Sequence, residues 1–178
     1  MSVMAAEGAA GAMGEWEFLS RSPAETEALG RALGGLLRAG SGLALVGEMG
    51  AGKTLLARGV ALGLGVEGAE EVKSPSYLLM LEYPGHPTLY HFDAYFAAKE
   101  RDFLADGGQV LLEGEGVALV EWADRLEESL PSHFLRVTIE MPPGQPEWRR
   151  FRFRGPASIW GGVLARLAAA LEAGGEKE

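Results

Sequence analysis

The stretch that most constrains this chain is Leu43–Leu56, LALVGEMGAGKTLL. Within it, Gly47-Glu48-Met49-Gly50-Ala51-Gly52-Lys53-Thr54 completes the pattern G-x-x-x-x-G-K-[ST]. An apolar run, Leu43 to Val46, leads into the loop, and a helix-forming segment, Thr54 to Arg58, leads out. Strand, glycine loop and helix in that order are the context in which this motif cradles phosphate. The glycines let successive backbone N–H groups converge on one point, and the helix N-terminus adds its partial positive charge there. Lys53 can then reach the β- and γ-phosphates of a nucleotide, and the Thr54 hydroxyl can ligate Mg²⁺.

At 178 residues the chain has the length of one domain with a proper core. Its 47% hydrophobic and 23% charged residues are ordinary for a globular protein. It contains no apolar run long enough to span a bilayer, and MSVMAAEGAAGAMG lacks the basic n-region and apolar core of a signal peptide. With no cysteine, disulfides and thiolate metal sites are excluded, and the cytoplasm is the expected compartment. The net charge of −9 argues against broad, unaided nucleic-acid binding, which needs cations to displace phosphate counterions. Any contact with RNA is expected to run through a partner. The chain has no Asn and only Gln109 and Gln145 as glutamines, a scarcity of thermolabile amides consistent with heat adaptation.

The order of elements follows from periodicity and breakers. Residues 1–14 are small and featureless and are expected to be disordered. Glu15–Leu19 alternates as a short strand. Ser22-Pro23-Ala24-Glu25 is a capping box with Pro at the first helical position, opening a helix to about Arg38 with Gly40 closing it. Gly30, Gly34 and Gly35 weaken that helix, which implies close packing against something. The helix after the glycine loop ends near Gly63 or Gly65, and Glu70–Ser76 is a loop. Tyr77–Tyr83 and Thr88–Asp93 are expected to form a hairpin across Pro84–Pro87. Residues 94–116 are expected to be partly helical, Val117–Trp122 a buried strand, and Ala123–Ser129 a short helix. Phe134–Met141 and Trp148–Arg154 pair as a second hairpin, and Ile159–Ala173 is a closing helix. The result is one α/β domain over 15–173, a P-loop NTPase-like fold whose mixed central sheet carries antiparallel hairpins and is flanked by helices, with a frayed tail at 174–178.

A phosphate cradle hydrolyses nothing alone; it needs a second Mg²⁺ contact and a group to orient water. Two strand-end carboxylates are candidates, Asp93 closing LYHFD and Glu121 closing VALVE. Each read singly is an ordinary solvated carboxylate; two of them behind a glycine loop favour a functional reading. Val72–Ser76 lies where many P-loop hydrolases keep a segment that senses the γ-phosphate. Trp122 reads as a core aromatic, or as a surface for stacking a base or a partner.

GEMGAGKT, VKSPSYLLMLEY, LYHFDAY and LVEWADRL, in this order and spacing, resemble the TsaE (YjeE) family of bacterial ATPases required for threonylcarbamoyladenosine formation in tRNA. The likeness runs from about Ser22 to Pro131, and is mainly architectural beyond. It implies that Gly50, Ala51, Gly52, Lys53, Thr54 and Leu55 wrap the phosphates of ATP. It further implies that Thr54 and Glu121 hold Mg²⁺ and that Asp93 supports the metal or the water. By the same resemblance Ser74, Pro75 and Ser76 form a switch-like loop and Trp122 flanks the site, with the start of the first helix, Ser22 to Thr26, near the base. The partners it implies are TsaD, which carries out threonylcarbamoyl transfer, and its companion TsaB, with tRNA met only through the complex and no membrane. The chain departs from the family pattern at Ser76, where Thr is usual, and at Phe96, where a basic residue is common; residues 99–116 follow it loosely.

Other patterns carry less. Asp106-Gly107-Gly108-Gln109 is one residue short of the GTPase D-x-x-G-Q, and without Asn no guanine-reading N-K-x-D exists, which favours ATP. His86, His91 and His133 lack metal-ligand spacing and read as turn, strand-face and loop residues. Arg150, Arg152 and Arg154 alternate with Phe151 and Phe153, a solvated strand face or else a partner contact. A small-molecule kinase and a non-hydrolysing, nucleotide-responsive adaptor are the competing functions; the first lacks an Arg-bearing lid, since Arg101 is the lone arginine of 94–116.

Overall fold

A computed structural model describes residues 4–6 and 11–175. In chain order the elements are β1 (Met4–Ala6), β2 (Met13–Ser20), α1 (Pro23–Gly34), β3 (Gly42–Val46), α2 (Lys53–Leu64), β4 (Met80–Tyr83) and β5 (Leu89–Asp93). There follow α3 (Ala97–Phe103), α4 (Gln109–Glu113), β6 (Val117–Glu121), β7 (Leu135–Glu140), β8 (Arg149–Pro156) and α5 (Ala157–Gly175). The strands form one sheet in the order β1-β2-β8-β7-β3-β6-β5-β4. Its centre is parallel, β7-β3-β6-β5, and the outer pairings are antiparallel. The mixed α/β sheet and both hairpins agree with the sequence reading.

Alternation along the central strands sorts side chains to two faces. Leu43 and Leu45 of β3, Val117 and Leu119 of β6 and Leu89 of β5 pack with Leu56 and Val60 of α2 in one core. Ala44, Ala118, Val120 and Phe92 point the other way, to a second core with Leu104, Leu112 and Phe134. Burial on both faces is why these strands read as unbroken apolar runs. Continuing the first set in steps of two, from Leu89 to His91 and Asp93 and from Leu119 to Glu121, places these three polar residues on the α2 face, which is where the glycine loop delivers α2.

The glycines of α1 have their partner in α2. A Cβ on Gly30 would lie 2.6 Å from Leu56 O, and one on Gly34 would lie 2.2 Å from Val60 O. Reciprocally, a Cβ on Gly59 would meet Glu27 O at 2.5 Å and one on Gly63 would meet Arg31 O at 2.1 Å. Two glycines four residues apart on each helix let the backbones touch, and this holds α2, with the loop before it, against the sheet. The helix start is capped as expected: Ser22 Oγ accepts from Glu25 N–H, while Glu25 reaches back to the N–H of Arg21.

Several boundaries differ from expectation. Helix α1 ends at Gly34, not near Arg38, with Gly35 as its cap. The strand expected from Tyr77 begins at Met80, because Leu78 N–H closes a turn on Pro75 O and Leu79 takes φ 68°. Tyr77 and Leu78 are therefore 80% and 62% exposed despite their apolar character. Residues 123–129 form two 3₁₀ turns, Ala123–Arg125 and Glu127–Ser129, rather than one helix. Within 1–14, expected to be featureless, Met4–Ala6 and the start of β2 pair as antiparallel strands. Helix α5 takes in Gly174 and Gly175, and the rest of the expected frayed tail, 176–178, lies outside the described residues. Among the described residues no helix is long and apolar enough to cross a membrane.

Candidate functional site

The carboxyl ends of β3, β5 and β6 open on a cleft of about 480 Å³. Its floor is the glycine loop and first turn of α2: Gly50, Gly52, Lys53, Thr54 and Leu55. Its far wall is Ser74, Ser76, Asp93, Glu121 and Trp122. Of the residues singled out from sequence, Ala51 and Pro75 do not line it; Ala51 is buried beneath the loop. Gly50 and Gly52 adopt φ 78° and 102°, the left-handed values that a phosphate loop needs and that side chains resist.

Lys53 is only 4% exposed. Its Nζ donates to Gly47 O at 2.7 Å and Glu48 O at 2.8 Å, and lies 3.7 Å from the centre of the Trp122 ring. Burial pushes its pKa below the usual lysine value, while the carboxylates of Glu121, Asp93 and Asp124 oppose that shift. Trp122 is thus neither a plain core aromatic nor a free surface. It sits at φ 56° between two cations, with the Arg125 guanidinium 4.9 Å from its ring and Tyr95 edge-on at 5.2 Å.

Across the loop, Thr54 Oγ1 lies 2.9 and 3.0 Å from the two carboxylate oxygens of Glu121, to which it donates. Glu121 Oε1 also contacts His91 Nε2 at 2.9 Å. Carboxylate oxygens accept, so Nε2 is the donor, and His91 Nδ1 is buried without a hydrogen-bond partner. Asp93 stands beside Glu121 in the parallel register of β5 and β6. Its Oδ2 accepts from Ser74 Oγ and, at 3.0 Å, from Ser76 Oγ; its Oδ1 accepts from Tyr95 N–H at 2.9 Å. The loop 74–76 is therefore tied to the carboxylate at the end of β5. Ser76 makes this bond with the hydroxyl it shares with threonine.

A hydroxyl and two carboxylates are hard oxygen donors, which suit Mg²⁺. Mg²⁺ is held by one or two carboxylates together with substrate phosphates rather than in an all-protein cage. The donor set fits the ion.

Two residues at this site were not singled out from sequence. His91 reads in sequence as a strand-face residue, and its position two before Asp93 puts it on the same face. Arg149 stands just before the alternating arginines Arg150, Arg152 and Arg154 and is no part of their pattern. Its Nε donates to Ala51 O at 3.0 Å and its Nη2 to Gly50 O at 3.1 Å. Nothing local announces that contact. Arg152 pairs instead with Glu17 at 2.8 Å and Glu140 at 3.3 Å, and Arg154 with Glu15 at 3.0 Å, with Phe151 and Phe153 buried behind them. The face they form is exposed. Asp106 and Gln109 lie off the cleft, where Gln109 donates to Glu113 and to Ser129 O. Phe96 packs on Tyr95 and Tyr77, with Lys99 Nζ 6.0 Å from the centre of its ring, and Arg125 stacks 4.6 Å over Tyr95.

A glycine loop running from a central parallel strand into a helix, faced by a carboxylate on the next strand, defines the P-loop nucleotide-binding fold. The sequence profile of the family "Threonylcarbamoyl adenosine biosynthesis protein TsaE" matches residues 20–150. A TsaE protein of Treponema pallidum is 39% identical over 123 residues, 69% of this chain and 90% of the relative. One from Streptomyces coelicolor is 40% identical over 137 residues, 74% and 91% of the two chains. The crystal structure of Bacillus subtilis YdiB superposes with a TM-score of 0.73 at 27% identity, covering 95% of this chain and 99% of that one. The chain belongs to the TsaE family, whose members take part in tRNA threonylcarbamoyladenosine biosynthesis.

Proposed function

We propose that this protein binds and hydrolyses ATP in the cytoplasm and that the energy serves threonylcarbamoyladenosine modification of tRNA. In this reading it acts on a complex of TsaB and TsaD and resets it between turnovers, meeting tRNA only through that complex. The observation that carries the hydrolytic reading is the bond from the Thr54 hydroxyl, on the helix that follows the glycine loop, to Glu121 at the end of the neighbouring strand. That juxtaposition joins the phosphate grip to a carboxylate of the kind a metal-nucleotide site requires.

Each residue then has a task. The Gly50–Leu55 backbone and Lys53 grip the phosphates, and Lys53 neutralises charge as the γ-phosphate departs. Thr54 and Glu121 hold Mg²⁺, which when bound spreads positive charge over the phosphate oxygens. His91 donates to Glu121 and limits its rotation. Asp93 supports the metal or orients the attacking water. Ser74 and Ser76, tied to Asp93, couple the 74–76 loop to the state of the nucleotide. Trp122 keeps Lys53 from straying from the cleft. The net charge of −9, and the pairing of Arg152 and Arg154 with carboxylates of their own sheet, favour contact with tRNA through partners.

The test is phosphate release from Mg-ATP by the chain alone and with TsaB and TsaD. Slow release alone that rises with the pair is the expected result. No release in either case, or transfer of phosphate to an added small molecule, contradicts the proposal.

A further inference from the structure

The phosphate loop invites an accounting of its carbonyls. Its N–H groups are the part that grips an anion, so its C=O groups must find donors on the other side. Gly47 O and Glu48 O take Lys53 Nζ, Glu48 O also takes Ala51 N–H at 3.1 Å, and Gly52 O takes Leu56 N–H at 3.0 Å. Gly50 O and Ala51 O are met from the opposite end of the chain, by the guanidinium of Arg149 at the start of β8. The remaining nitrogen of that group, Nη1, donates to Pro146 O and Trp148 O at 2.7 Å each. The fork is therefore anchored on its own turn at one edge and holds the loop at the other.

We propose that Arg149 is a positioning residue for phosphate binding. It holds the peptide planes that follow Gly50 and Ala51, the first together with the Ala51 N–H bond to Glu48 O, so that the Gly52 N–H faces the cleft. This rests on the nucleotide-binding reading above and adds to it a role for the antiparallel hairpin, which otherwise contributes nothing to the cleft. The reason is covalent: a trans peptide is rigid and its C=O and N–H point in opposite directions. With Ala51 C=O fixed on Arg149, the Gly52 N–H is aimed the other way, toward the side that Gly50, Gly52 and Lys53 line. Glycines at φ 78° and 102° flip their peptide planes easily unless something outside the loop holds them. Lys53 cannot serve as that clamp, because its ammonium is the group proposed to follow the phosphates. Arg149 does not line the cleft and has no competing task. A planar guanidinium presents two N–H groups at fixed spacing to two carbonyls, which an ammonium cannot do.

The test is titration calorimetry of the full chain, as wild type, Arg149→Met and Arg149→Lys, with ATP and separately with ADP, well below the unfolding midpoint of each protein. The Met variant is expected to bind both nucleotides about tenfold more weakly or worse, as the loss of hydrogen bonds from a charged donor implies. The Mg²⁺ dependence of ATP binding should be unchanged. The Lys variant keeps the charge without the fork and should lose nearly as much. Amide exchange at Gly52, measured by NMR, should quicken in both variants. Wild-type affinity in the Met variant, or full rescue by Lys, overturns the proposal, whatever the unfolding midpoint does. If the Met variant does not fold, the Lys variant decides alone by the same criterion. If the wild-type chain binds neither nucleotide, the nucleotide reading falls and Arg149 with it; equal binding by wild type and variants removes only Arg149.

Discussion

The sheet carries carboxylates in two settings. On β5 and β6, Asp93 and Glu121 are 1% and 2% exposed, and their hydrogen bonds come from the side chains of Ser74, Ser76, Thr54 and His91 and from the Tyr95 N–H. On β2, Glu15 and Glu17 face Arg154 and Arg152 across the antiparallel ladder, and the Glu17 side chain is 58% exposed. The residue types are the same; the solvent is not. An exposed ion pair gains little, because water already solvates both partners and holding two long side chains together costs entropy. A buried carboxylate has no water to fall back on, so its stability and its chemistry both depend on each hydrogen bond it keeps. The parallel strands bury their two carboxylates at the cleft, whereas Glu15 and Glu17 pair with arginines on an exposed face away from it.

Substitutions can break this contrast. Lys53→Ala should give the largest effect, a loss of about a thousandfold in phosphate release, since a preorganised charge at a transferring phosphoryl group is worth that much. Normal hydrolysis in that variant would end the site assignment. Glu121→Gln keeps shape and removes charge; turnover should fall by roughly a hundredfold and the Mg²⁺ needed for half-maximal rate should rise. An unchanged Mg²⁺ titration would move the metal away from Glu121.

The next two variants compare the two settings in one assay, urea denaturation. His91→Leu removes a buried donor from Glu121 and should cost about 1–3 kcal/mol. Replacing Arg150, Arg152 and Arg154 together by Gln should cost no more than about 1 kcal/mol and leave ATP binding unchanged. If the triple variant proves the more destabilising, burial does not separate the two settings as argued. If it abolishes assembly with TsaB and TsaD while the fold is intact, the solvated face is a docking surface.

Much of the site was legible because strand alternation is local. Leu89, His91 and Asp93, with Val117, Leu119 and Glu121, share a face by period 2 alone, and the glycine motif says what lies at the end of that face. The glycines of α1 announced a close partner, and Gly59 and Gly63 of α2 supplied it. Tyr77–Leu79 lies outside the strand although it is apolar, because apolar character is the same whether a residue is buried in a strand or displayed on a loop; the left-handed turn at Leu79 is not written in its side chain.

What the sequence determined by itself is therefore the phosphate loop, the buried parallel strands and the two carboxylates at their ends, all of them consequences of near-neighbour pattern. What the tertiary structure decided is who meets whom: β2 completing the sheet against β8, His91 on Glu121, Ser74 and Ser76 on Asp93, and Arg149 on the carbonyls of Gly50 and Ala51. Those contacts join residues far apart in the chain. They form because a buried or inward-turned polar group must be satisfied by whatever donor the fold brings within reach, and no local pattern records which one that is.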